Sequence, residues 1–157
     1  MRVSIRELLV AAAIAVLVIA FFTSRRQSEG PLVRASATLT PGALNPDVTQ
    51  ETIRSTICVR GWTRTVRPPV EYTNDLKVKQ MRDYGETGPT SQYQEDHLIS
   101  LELGGAPTDP RNLWPEPYPR AATVDEIENE LNAQVCSGAL SLAAAQRKEW
   151  DLKHRDG

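Results

Sequence analysis

The chain has 157 residues, 40% of them hydrophobic, with 18 basic and 20 acidic side chains. That is enough for one compact domain and too little for two. The first 26 residues hold four Arg and one Glu, leaving 14 basic against 19 acidic side chains in the remainder, a net −5. A protein that grips nucleic acid over a broad face is usually basic, so contact with a polyanion here has to be brief or confined to a local patch.

Residues 8–22, LLVAAAIAVLVIAFF, form a run of fifteen apolar residues. As a helix it would span ~22 Å, short of the ~30 Å hydrocarbon core unless its neighbours extend it. No small-x-small cleavage site follows directly, and Arg25 and Arg26 come next. The run reads first as a signal anchor in residues 1–26, through which the protein meets the membrane, with a cleaved signal peptide as the alternative. Residues 27–40 mix Ser, Thr, Gly, Pro and charge, as a linker does.

The domain is expected over 41–151. Asn45 or Thr49 can cap a short helix reaching Thr56. Residues 57–69, ICVRGWTRTVRPP, alternate and are rich in β-branched and aromatic types, which predicts a strand. Residues 72–85, YTNDLKVKQMRDYG, read as a helix with Thr73 as cap, Val78, Met81 and Tyr84 on one face and Gly85 as its stop. Residues 86–92 are a loop. A strand follows over 97–103, a turn over 104–111 and a short return strand over Asn112–Trp114. Pro115, Pro117 and Pro119 then argue against a regular ladder. Residues 123–138, TVDEIENELNAQVCSG, predict the strongest helix, with a Thr123/Glu126 capping box and an apolar stripe at Val124, Ile127, Leu131 and Val135. Ser141 caps a last helix over 142–150, and 152–157, with His154, reads as a frayed tail.

Cys58 and Cys136 are the only cysteines. An even pair behind an export signal predicts one disulfide and an extracytoplasmic protein, membrane-anchored or secreted.

The chemistry gathers in YQEDHLISLELGGAPTDPRNLWPEP, residues 93–117. Asp96 on a strand and Asp125, Glu128 and Asn132 on a helix offer oxygen ligands from two directions, as a hard divalent cation requires. On flat strand geometry His97 points to the opposite face from Asp96. That suits a division of labour, with a neutral imidazole as the proton acceptor. Trp62 and Trp114 read as core, and Arg64, Arg67, Arg111 and Arg120 as solvated or ion-paired surface, with phosphate contact as the alternative.

This stretch resembles the HNH motif of the ββα-metal, or His-Me finger, endonucleases. More broadly, residues 39–150 are similar to small exported bacterial proteins described as HNH endonuclease-like. The resemblance implies a small α+β domain around a ββα-metal core with flanking helices, preceded by the N-terminal segment. It implies metal-dependent hydrolysis of phosphodiesters in DNA or RNA by a monomeric protein. His97 would be the general base, Asp96 a metal ligand, and Asn112 the residue that pins the hairpin. The final His or Asn of the motif is absent, so Glu128, with Asp125 behind it, is assigned as the helix ligand. Mg²⁺ suits an oxygen-rich site, and Mn²⁺, Ca²⁺ and Zn²⁺ are further candidates. The competing expectation is a disulfide-stabilised extracytoplasmic binding module that keeps the scaffold without catalysis.

Overall fold

In the computed structural model, residues 34–156 are described. The apolar run at 8–22, and with it the anchor or signal segment, lies outside them. No helix among the described residues is long and apolar enough to cross a membrane.

The architecture is a mixed helix–strand domain with one two-stranded sheet. In chain order it runs α1 (Trp62–Val66), α2 (Val70–Tyr84), β1 (Tyr93–His97), β2 (Leu113–Pro117), α3 (Arg120–Ser137) and α4 (Leu142–Asp151), with 3₁₀ turns between. The α+β class is as expected, but several elements differ from the sequence reading, each for a local reason.

The strand expected over 57–69 is absent. Gly61 takes a left-handed φ of 85° and starts the five-residue α1. Trp62 packs against the main core cluster. Arg67, the residue before Pro68, is extended and ends the helix. Tertiary packing has overridden β propensity here.

α2 begins behind Pro69 rather than at Thr73, and ends at Gly85, which has φ 74°. Its buried side chains are Gln80 and Met81, whereas Val78 is exposed. The helix faces the hairpin through polar ties. Lys77 donates to the carbonyl of Tyr93, and Gln80 to that of Pro110.

β1 lies four residues earlier than expected, over Tyr93–His97, and residues 101–103 form a 3₁₀ turn. β2 runs through Pro115 and Pro117, which the sequence reading had excluded from a ladder. The register resolves this. Asp96 faces Trp114, and Glu95 faces Pro115. The amides of Leu98 and Tyr118 donate across to Asn112 and Gln92. Even-numbered positions therefore carry the hydrogen bonds, and both prolines fall at positions whose missing N–H would face away from β1.

α3 starts at Arg120, so Thr123 lies inside it and no capping box forms. Val124, Leu131 and Val135 are buried as the stripe predicts, each stabilising the fold by about 1.5–3 kcal/mol. Ser141 does cap α4, accepting from the amide of Ala144. Cys58 and Cys136 are bridged, tying the approach to α1 to the end of α3 across a separation of 78 residues.

The flanking segments are also part of the domain. Residues 152–156 form one π-helical turn rather than a frayed tail, and Lys153 is fully buried. The ring nitrogens of His154 face two carbonyl oxygens, Nδ1 at 2.9 Å from that of Trp150 and Nε2 at 3.0 Å from that of Thr40. Ala35 and Thr40, expected in a linker, are buried, and the Ala35 amide donates to the carbonyl of Lys153.

Candidate metal centre and active site

β1 and α3 bring Asp96, His97, Asp125 and Glu128 to one cavity of about 420 Å³, which Gln94, Glu95, Glu102 and Arg67 also line. Asp96 and His97 end β1. Asp125 and Glu128 are three residues apart on α3 and so share a face. One carboxylate oxygen from each of Asp96, Asp125 and Glu128 lies within 4.8 Å of the others. Asn132 is not among them. Its Nδ2 donates to the carbonyl of Glu102 at 2.7 Å and so braces the loop after β1.

The histidine is held by its backbone neighbour. His97 Nε2 lies 2.9 Å from the carbonyl oxygen of Pro107. A carbonyl only accepts, so Nε2 carries the proton, and Nδ1 of the neutral ring is left as a base. Burial pushes the His97 pKa below 6.5. The Pro107 carbonyl and Asp96 pull it up, while Lys153 and Arg67 lower it further. The ring is therefore neutral at pH 7.

Asn112 fixes that carbonyl indirectly. It is fully buried. Its Oδ1 accepts from the amide of Ile99, and its Nδ2 donates to the carbonyls of Ile99 (3.0 Å) and Ala106 (3.1 Å). It closes the loop between the strands one residue before Pro107, so it is a positioning residue with no contact to the cavity. Gly105 is required by the same closure, since a Cβ there would lie 1.7 Å from the Ile99 carbonyl oxygen.

The sequence reading missed the cation at the centre. The Nζ of Lys153 donates to Asp96 Oδ2 and Glu128 Oε1, each at 2.7 Å, and to the carbonyl of His97. Glu149 lies 3.5 Å away, one helical turn before it. Burial alone would lower the Lys153 pKa, but Asp96, Glu128, Glu149 and Glu116 hold it well above the ordinary value, and the side chain is charged.

The carboxylates divide around this ammonium. Burial opposes ionisation of Asp96, yet Lys153 and hydrogen bonding bring its pKa down to about 2. Burial and Asp96 push Glu116 up to about 9. Glu128 is raised well above its usual range and Glu149 is raised too, burial leading in both cases. Asp125 is raised by burial and by Asp96. Glu95, next to Asp96, has both oxygens buried without a hydrogen-bond partner, and burial pushes it up to about 8. One ammonium therefore does not balance the cluster. The donor set, all hard oxygens and short of positive charge, fits a further divalent cation.

A trace of Lys153 was present in the sequence. Leu142, Ala145 and Glu149 fall on one helical face, all three buried and the first two apolar, and continuing the period reaches Lys153. A Glu and a Lys on an otherwise apolar stripe mark a buried ion pair, but a short basic tail obscured it. Trp114 is buried at 0% exposure and is a core residue, as expected. Arg111 and Arg120 are paired with Asp109 and Glu116.

Comparison with protein-family models, with curated proteins and with solved structures gave no match.

Proposed function

We propose that the domain is a divalent-metal-dependent phosphodiesterase acting on nucleic acid, built on an HNH-like ββα-metal core. The observation that carries this reading is the convergence, in one cavity, of three carboxylates and an imidazole whose free nitrogen is a base. Asp96, Asp125 and Glu128 would hold the ion, Mg²⁺ by the hardness of the donors. When bound, it supplies the positive charge that a phosphate and a departing oxygen need.

The other work falls to the chain. Nδ1 of His97 takes a proton from water as the water oxygen forms its bond to phosphorus and the ester P–O bond breaks. Pro107 keeps the opposite nitrogen protonated and the ring in place. Asn112 and Gly105 keep Pro107 in place. Lys153 holds Asp96 ionised and fixes two ligands relative to the strand. Arg67, exposed at the cavity, meets phosphate charge. The disulfide is compatible with an oxidising, extracytoplasmic setting.

A second reading is favoured by Lys153 itself. An ammonium bonded to Asp96 and Glu128 already takes part of the place of a metal, as in a scaffold kept for binding after catalysis is lost. Two measurements on the oxidised protein separate the readings: calorimetric titration with Mg²⁺ and Mn²⁺, and cleavage of plasmid and RNA with metal or EDTA beside His97→Ala. Metal-dependent cleavage that the substitution abolishes supports the enzyme. A folded protein that binds neither ion and cleaves neither substrate leaves the binding module.

A further inference from the structure

Charge along the chain is segregated. Residues 52–70 contain Arg54, Arg60, Arg64 and Arg67 and no acidic residue. Without these four, the rest of 27–157 holds 10 basic against 19 acidic side chains. The block surrounds α1 and leads to the proposed active site. Arg67 lines the main cavity, close enough to His97, Glu102 and Asp125 to influence the charge of each. A second cavity of about 250 Å³ is lined by Arg60, Gly61, Trp62 and Thr63, and Glu102 borders both cavities. The Arg64 guanidinium lies against Gly61, where an added Cβ would be 3.1 Å from its Nη2. Arg60, Arg64 and Arg67 are exposed, and among the described residues none of them is in an ion pair within 4 Å. Arg111, Arg120 and Arg155, by contrast, each hold a carboxylate.

We propose that α1 and its flanks are a binding surface for single-stranded nucleic acid, feeding a phosphodiester backbone from the second cavity past Glu102 into the His97 site. This rests on the function proposed above. Exposed guanidinium groups without carboxylate partners suit successive phosphates. Trp62, half-buried and lining the second cavity, offers an aromatic surface for a base, and a base can stack on protein only after leaving its own helix. Glu102 is the one carboxylate between the cavities, and Arg67 beside it offsets its charge. The surface explains how a domain of net negative charge can take a polyanionic substrate.

The test uses the full oxidised chain. Labelled single-stranded and duplex DNA and single-stranded RNA are probes for binding by anisotropy and for cleavage with Mg²⁺. Bis-p-nitrophenyl phosphate reports the chemistry without the surface. The variants are Arg60→Gln/Arg64→Gln and, as a control with the same charge change on another part of the chain, Arg82→Gln/Arg147→Gln. The expected result is a KM for single strands raised at least tenfold in the first variant, with kcat and bis-p-nitrophenyl phosphate hydrolysis unchanged. Its slope of log affinity against log salt should be shallower by about 1.4, the share of two lost contacts to a single strand. Equal losses in the control, no loss in the first variant, or tighter binding to duplex would overturn the proposal. Cleavage that ignores Arg60 and Arg64 removes the surface and leaves the phosphodiesterase. Arginine-dependent binding without any cleavage removes the phosphodiesterase and leaves the surface.

Discussion

Lys153 and Asp96, 57 positions apart in sequence, meet in a buried ion pair of 2.7 Å. The pair joins the turn after α4 to the end of β1, at the point from which His97 follows. Removing the ammonium would leave Asp96 as a buried, unpaired anion beside Glu128. Lys153→Met should therefore destabilise the domain by about 3–5 kcal/mol, the usual cost of breaking a buried pair from one side. Urea unfolding followed by tryptophan fluorescence measures it. The double variant with Asp96→Asn should recover part of the loss, since no ionised carboxylate then remains at position 96, and equal instability of both variants would argue against the pair as the cause.

His97→Ala should reduce metal-dependent cleavage by at least about 10²-fold, the scale of a general base. Stability should fall by about 1–3 kcal/mol, since the carbonyl of Pro107 loses its donor from a buried side chain. Partial rescue by added imidazole would identify the missing group as a proton acceptor. A full rate in the variant would assign the base elsewhere.

Asn112→Ala should be costly without touching substrate. It leaves the amide and carbonyl of Ile99 and the carbonyl of Ala106 without their side-chain partner. Each orphaned group costs about 1–3 kcal/mol. Thermal unfolding should show a large loss. In whatever fraction folds, kcat should fall with KM little changed, because Pro107 no longer fixes the His97 ring. Gly105→Ala should fail to fold, given the 1.7 Å approach of its Cβ to the Ile99 carbonyl oxygen.

The pH dependence of stability follows from Glu116 and Asp96. Glu116 titrates near 9 in the folded chain against 4.5 in the open chain. The folded state thus keeps a proton that the unfolded state releases, and stability falls as pH rises across that window. Below about 4.5 the contribution is complete. Asp96 acts in the opposite sense. With its pKa lowered from 3.8 to about 2, its contribution is present above 3.8 and lost as pH falls through 2. Urea unfolding from pH 5 to 9 should show a declining free energy, and Glu116→Gln should flatten the decline. An unchanged slope in that variant would move the effect to other carboxyls, Glu95 first.

Reduction of the Cys58–Cys136 bridge frees a loop of 78 residues. On chain entropy that costs about 4 kcal/mol, to be read as a lower midpoint of unfolding in dithiothreitol.

Much of the candidate site was legible because the residues that form it lie in local runs. Asp96-His97, the Gly-Gly turn and Asn112 are consecutive features of one hairpin, and Asp125 and Glu128 sit at helical spacing. The elements themselves were less legible. Residues 57–69 have the composition of a strand, yet one left-handed glycine and the docking of Trp62 make a helix. Pro115 and Pro117 argued against pairing because sequence does not show which amide faces the partner strand. Lys153, Glu149 and Glu116 reach the site through tertiary packing, with only a faint periodicity to announce the first two.

The placement of those two prolines has a consequence on the other side of β2. A two-stranded sheet has two open edges, and an open edge is a template for any extended chain that meets it. Along the outward edge of Leu113–Pro117 the amides of Pro115 and Pro117 do not exist, and the amide of Leu113 already donates to the carbonyl of Pro110, so none of the three offers a free donor there. The rings that fit the hairpin together also end it: a peptide or a second copy of the chain finds no ladder to extend on that side.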